Sequence, residues 1–276
     1  MLWTNAPLIG ESEDRQVYRH IELMEECDIS TKQGSISTNP MVRPGDISRT
    51  LFIISCSAAK NPDHQKAEKW MDIFGLKECS NFLEFRSLRK QLLDFYSGID
   101  SEVLAKEVYR GYTQQNPERW EKAWKTNRTL LKSGVSPAIY RYTGRLYAQL
   151  DTLVCSCLAD NKLTNVLIIS ALNGPTMPSD FLPHYDLTMK DLSFDKIKLA
   201  RKWPYWIKVH SSDSLREFLK RFRQIYVMVG NDYKPVAKAL RDLAPNVKEY
   251  KEAPSFGWKS GIVWGQQLNS FLSTLI

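Results

Sequence analysis

Three short apolar runs end in residues that can do chemistry. Leu51-Phe52-Ile53-Ile54-Ser55 runs into Cys56-Ser57-Ala58-Ala59-Lys60. Val166-Leu167-Ile168-Ile169-Ser170 runs into Ala171-Leu172-Asn173-Gly174, and Ile225-Tyr226-Val227-Met228-Val229 into Gly230-Asn231-Asp232. Lys60 is the charge to single out. A lysine just beyond a buried strand can hold an anionic group, or become a nucleophile where burial lowers its pKa. Cys56 can act as a thiolate beside a cation or a helix N-terminus, although a cysteine there equally reads as a small buried hydrophobe. Asp180 or Asp232 would move protons. Ser55, Ser57, Ser170, Asn173, Gly174, Asn231 and Asp232 are the candidate ligand-binding groups. The bland account of the same residues is turn chemistry, and most lysines end in solvated loops.

Such groups meet only if the strands are neighbours. Continuous apolar strands belong to parallel or mixed sheets covered on both faces by helices, and ligands of open α/β sheets gather outside the carboxyl ends of the strands. Helical spacing of apolar residues is read over 65–74, 88–96, 102–109, 117–131, 139–158, 214–222, 235–243 and 262–275. Asp213 or Ser212 suits an N-cap, and Pro235 suits a first helical turn. The fold class expected is α/β, a mixed and largely parallel sheet covered by helices. It occupies residues 50–276 as a single domain, preceded by a polar extension over 1–49. That extension carries seven acids and two bases before residue 29. A helix is read within it at 15–27, and a loop follows at 30–46.

The 276-residue chain is 43% hydrophobic and 25% charged, with net charge +7. This composition excludes disordered, collagen-like and coiled-coil classes. Its apolar runs are far shorter than the roughly 20 residues of a membrane span. The first residues lack a basic, then apolar, leader pattern, so no signal peptide is read. Five scattered cysteines and four separated histidines give neither a disulfide framework nor a zinc motif. The expected setting is a reduced cytoplasm, with no metal. No Walker motif, G-x-G-x-x-G, G-x-S-x-G or H-E-x-x-H is present, so the cofactor stays unknown.

Further motifs carry a family resemblance. Ser57-Ala58-Ala59-Lys60 is similar to an S-P-A-K segment, and Tyr142-Thr143-Gly144-Arg145-Leu146-Tyr147 to an F-K-G-x-x-Y element. Ile169-Ser170-Ala171-Leu172-Asn173-Gly174-Pro175-Thr176-Met177-Pro178-Ser179-Asp180 follows L-S-G-L-Y-G-x-L-R-P-x-D in order and spacing. His184-Tyr185-Asp186-Leu187-Thr188-Met189 follows P-Y-R-L-E-M. These are motifs of the YaaA family, bacterial peroxide stress proteins, which the chain resembles from about Leu51 to Met189. Met177 and Asp186 depart from it, each replacing an arginine. The resemblance implies an α/β fold with a positively charged cleft, a cytosolic location, a role in limiting oxidative damage, and DNA binding. By position it assigns Ser57, Lys60, Tyr142, Gly144, Tyr147, Ser170, Gly174, Pro178, Asp180 and Tyr185 to that cleft. Arg145, inside the second element, is counted among the ligand-binding residues. Turns and core packing would account for Gly144, Gly174, Pro178 and Tyr147 as well.

The charge is concentrated. Residues 190–223 hold ten bases and four acids, interrupted by Trp203, Tyr205 and Trp206. Lys248, Lys251 and Lys259 can extend that surface. Bases with interleaved aromatics suit phosphate contact plus stacking, while the plain alternative packs Trp203 and Trp206 inward. Two functions follow. One is a stress-linked protein binding a nucleotide or nucleic acid in a basic cleft at the strand ends. The other is an enzyme acting on a small anionic metabolite, such as a nucleotide or nucleobase derivative, through Lys60 and a nearby carboxylate. No membrane partner is expected, and the sequence sets no oligomeric state.

Overall fold

The structure is a computed structural model, describing residues 44–62, 81–112, 116, 118–210 and 213–276. The helices expected over 15–27 and 65–74, the cap expected at Ser212 and most of the polar extension lie outside the described residues. In chain order, a 3-10 turn Pro44–Arg49 leads into β1 (Thr50–Ser55). Helices α1 (Arg86–Ser97), α2 (Glu102–Val108) and α3 (Arg119–Asn127) follow, then β2 (Val135–Pro137), α4 (Ala138–Arg141) and α5 (Thr152–Ala159). Next come β3 (Val166–Ser170), β4 (Gly174–Thr176), β5 (Phe181–Pro183), α6 (Leu199–His210) and α7 (Asp213–Lys220). The chain continues through β6 (Gln224–Met228), α8 (Lys234–Asp242), β7 (Glu249–Glu252) and α9 (Ser260–Ser273).

The main sheet has five strands in the order β4-β3-β1-β6-β7. β1 pairs in parallel with β3 and β6, and β6 with β7, while β4 turns back antiparallel on β3. The expected mixed, largely parallel sheet is therefore the observed one. The three apolar runs are its three adjacent inner strands, and nearly every residue in them is buried, as a sheet covered on both faces requires. On one face α9 stacks Phe271 on Phe52 at 5.5 Å, and Tyr226 meets Phe52 edge-on at 6.2 Å. Because the chain goes from β1 to β3 on one side and returns to β6 on the other, the order reverses beside β1. This is the crevice where doubly wound sheets bind ligands.

Three elements differ from the sequence reading for physical reasons. The helical run read over 139–158 is broken into α4, a 3-10 turn Tyr147–Gln149 and α5. Tyr142 leaves α4 with extended backbone (φ −91°, ψ 128°) and forms an antiparallel bridge with Lys60. Gly144 then passes so close to Ser57 that a Cβ there would lie 2.0 Å from its hydroxyl. The second miss is α6, unread because Pro204 sits inside it, where proline removes a helical donor. Its buried Leu199, Trp203, Trp206 and Ile207 form one apolar stripe that outweighs the lost bond. Trp203 and Trp206 of the basic segment are thus core residues, whereas Tyr205 and Phe194 are exposed. β7 also went unread, because Glu249-Tyr250-Lys251-Glu252 is a charged edge strand, the kind that blocks further pairing.

Gly174 opens β4 at φ +66°, where a Cβ would meet the Trp203 ring at 2.3 Å. Gly174→Ala combines left-handed strain with overpacking and is expected to lose at least ~2 kcal/mol of stability. Urea denaturation checks this. A loss below half that value would mean that the turn relaxes freely.

Candidate functional site

The loop leaving β1 is stitched to the end of α4. Asn61 N–H donates to the Arg141 carbonyl (2.9 Å), and Thr143 N–H to the Ala59 carbonyl (3.1 Å), on either side of the Lys60–Tyr142 bridge. Arg141 secures the underside. Its buried guanidinium donates to the carbonyls of Asn61 (2.5 Å), Gly134 (3.1 Å) and Leu182 (3.2 Å). This backbone pairing directs the Lys60 side chain inward.

Inside, the Lys60 ammonium lies 4.3 Å from the centre of the Tyr185 ring and 5.9 Å from that of Tyr142. Its Nζ is buried and makes no hydrogen bond among the described residues. Burial lowers its pKa from the ordinary 10.5, opposed by Cys56 and Asp186 and reinforced by Arg119 and Arg141. The tyrosine faces supply cation–π attraction, but no group among the described residues accepts the ammonium's protons.

Beside it runs a chain of hydroxyls. The Tyr142 and Tyr185 hydroxyls are 2.7 Å apart, and Tyr185 lies 2.9 Å from Ser170 Oγ, which accepts from Asn173 N–H at 3.0 Å. Either hydroxyl in each pair can donate, so the chain can reverse polarity and carry a proton. Burial holds both phenols well above the usual tyrosine pKa, so they stay protonated. Tyr147, also raised by burial, tilts against Tyr142 at 5.2 Å and donates to the Ser55 carbonyl at 2.8 Å. Asn173 Oδ1 is a second buried polar atom without a partner. Cys56, at the end of β1, lies 3.2 Å from the Tyr233 hydroxyl.

Cys56, Lys60, Tyr142, Tyr147, Ser170, Asn173 and Tyr185 therefore form one cluster at the carboxyl ends of β1 and β3. Ser57 and Gly144 frame its rim. Ser57 Oγ accepts from Ala59 N–H at 3.1 Å, setting the turn into Lys60. Gly174 lies beneath, against Trp203. The remaining candidates stand apart. Asp180 is buried with its oxygens accepting from Asn81 N–H (2.7 Å), Asn81 Nδ2 (2.8 Å) and Met177 N–H (2.8 Å). Burial raises its pKa against the pull of Arg89. It pins loops and pairs with neither Lys60 nor Arg145. Arg145 stacks on Trp258 at 5.3 Å and donates to its carbonyl at 2.7 Å. Asn231 is exposed, and Asp232 pairs with Lys190 at 3.7 Å.

Several supporting residues had no sequence signal. Arg119 of α3 holds Asp191 with two bonds (2.9 and 2.8 Å) and reaches Asp186 at 3.4 Å. Arg89 donates to the carbonyls of Asn173 (3.0 Å) and Pro175 (2.8 Å), fixing the β3–β4 turn. Only Tyr233, two residues past Asn231, was within reach of strand-end reasoning. An open depression of ≈ 660 Å³ over the same loop is lined by Ala58 and Ala59, by the cations Arg119, Lys122 and Lys125, and by the carboxylates Glu118, Glu121 and Asp186.

The family model described as peroxide stress protein YaaA matches residues 50–254, and on that extent the chain belongs to this family. The match begins with β1 and ends just past β7, so it reaches well beyond Met189 and includes the basic segment. No curated protein matches the chain. Among the described residues, no helix is long and apolar enough to cross a membrane.

A lysine with a lowered folded pKa loses its proton at a lower pH in the folded chain than in the unfolded one. The unfolded chain then binds more protons between that lowered value and the ordinary 10.5, and stability rises with pH across the window. In urea titrations, wild-type stability minus that of Lys60→Met should climb as pH rises toward 10.5. The tyrosines cancel in this difference. A flat curve would mean that Lys60 is solvated.

Proposed function

We propose that this member of the peroxide stress protein YaaA family binds a nucleotide-like anionic ligand at the carboxyl ends of β1 and β3, with Lys60 meeting its charge. The observation that carries the reading is the buried Lys60 ammonium without a hydrogen-bond partner among the described residues. Buried charges are costly unless paired, and an arriving anion supplies the missing partner. Asn173 Oδ1, also unpartnered, can accept from an amino or imino group of a base. The Tyr185 and Tyr142 faces favour a cationic or planar neighbour. A nucleotide or nucleobase derivative combines these features.

The lowered pKa of Lys60 favours a second reading, an enzyme acting on the same class of metabolite. A neutral amine is a nucleophile or base, and the Tyr142–Tyr185–Ser170 hydroxyls can relay its proton. In this reading Lys60 and the hydroxyl chain do the work, and the buried Asp180 positions loops. Nucleic-acid binding would draw on phosphate contacts from exposed bases such as Lys198, Arg201 and Arg216, with Tyr205 and Phe194 open to stacking.

Calorimetric titration of adenosine and guanosine monophosphates tests the site. Lys60→Met should weaken binding roughly 10- to 100-fold, the worth of a charge-assisted hydrogen bond. Unchanged affinity would remove Lys60 from the site. Filter binding of a single-stranded oligonucleotide at two salt concentrations tests the polymer arm, because phosphate contacts must weaken as salt rises. Salt-independent retention would exclude it.

A further inference from the structure

A cationic concavity lies at the opposite edge of the sheet. Arg49, Arg223 and Lys248 each stand immediately before a strand, β1, β6 and β7 respectively. The register pairs Thr50 with Gln224 and Gln224 with Glu249, so the three residues fall side by side. Arg223 N–H donates to the Arg49 carbonyl at 2.9 Å, and Lys248 N–H to the Arg223 carbonyl at 2.8 Å. Neighbouring strands lie about 4.8 Å apart, so the backbone itself sets three cations in a row spanning about 10 Å. Lys220 and Arg221, at the end of α7, complete a depression of ≈ 700 Å³ with no carboxylate in its lining. Lys220 pairs with Glu217, and Arg221 donates to Thr164 Oγ1 at 2.7 Å. Arg49, Arg223 and Lys248 enter no ion pair among the described residues. All three are exposed.

We propose that this edge is a binding site for a short polyphosphate chain, either free or as the tail of a nucleoside triphosphate. Like charges held one strand spacing apart repel, and a ligand of several adjacent negative charges relieves that repulsion along the whole row. Guanidinium groups give paired donors to phosphate oxygens, and lysine adds a point charge. A single carboxylate could meet only one or two of these groups. The volume falls within the usual range for small-ligand sites. β1 is six residues long, so at about 3.3 Å per residue its two ends are roughly 17 Å apart. The edge site is thus separate from Lys60 and does not depend on the function proposed there.

Calorimetry of the full chain with sodium tripolyphosphate, at two potassium chloride concentrations, tests it. Saturable binding that weakens with salt is expected. Arg223→Gln should reduce affinity at least tenfold, while Lys60→Met and the surface variant Lys90→Gln stay within twofold of wild type. ATP binding as tightly as tripolyphosphate would identify the phosphate chain as the whole determinant. ATP binding tenfold tighter, and still weakened by Arg223→Gln but not by Lys60→Met, would add a nucleoside contact to the same site. Absent binding would overturn the proposal. So would equal losses from Arg223→Gln and Lys90→Gln, which would mean net charge alone, or loss on Lys60→Met, which would place the ligand at the other end. Arg223 is exposed, and unchanged thermal unfolding of its variant separates lost binding from misfolding.

Discussion

The bridge between Lys60 and Tyr142 determines what the site can be. β1 is flanked by strands on both sides, so the chain leaving it has only the crevice at the carboxyl edge in which to turn. The hydrogen bonds around the bridge make that turn an extended segment facing Tyr142, which is why α4 ends there. Its consequence is electrostatic. A lysine placed by backbone pairing has lost its water before any side chain offers it an anion. Two aromatic faces offset part of that cost. Asp186, a carboxylate whose charge acts on Lys60, is held by Arg119, which is itself fixed in two bonds to the fully buried Asp191. The protein thus keeps the ammonium desolvated and the neighbouring anion occupied, an arrangement that leaves room for an external partner.

What the sequence makes legible follows from how local each cause is. β1, β3 and β6 are visible because burial on both faces leaves a run of aliphatic residues that needs no partner to be recognised. Most helix boundaries fall within two or three residues of the apolar spacing. The failures come from long-range causes. Nothing near Tyr142 reveals that its backbone will pair with Lys60, eighty-two positions earlier in the chain, so the helical pattern seems to run on. Pro204 is a local veto that the burial of Trp203 and Trp206 overrides. The charged edge β7 is a strand only because β6 lies beside it. At the site, Lys60, Cys56, Ser170 and Asn173 follow from strand ends, and Tyr142, Tyr147 and Tyr185 from family motifs. Asp180 carries the right chemistry for a proton carrier, but its oxygens are already occupied by Asn81 and Met177. Arg89 and Arg119 act across long stretches of chain, where residue type and spacing carry no information.

The two departures from the family pattern also gain a physical meaning. Met177, where the pattern has arginine, is buried, and its backbone N–H donates to Asp180. A cation there would need a new partner inside the core. Asp186, at the second arginine position, lines the depression over the Lys60 loop together with Arg119, Lys122 and Lys125. Glu118 and Glu121 line it too, so three carboxylates balance the three cations and the cation lost from the strand-end loop is not restored there. Its rim presents both signs of charge, unlike the wholly cationic lining at the amino edge. A multiply charged anion has no such opposition at the amino edge. The Lys60 end, with a carboxylate at its entrance and hydroxyls within, instead suits a ligand of low charge that can also donate hydrogen bonds. Charge density, rather than the sign of the net charge alone, therefore separates what each end of the sheet can recognise.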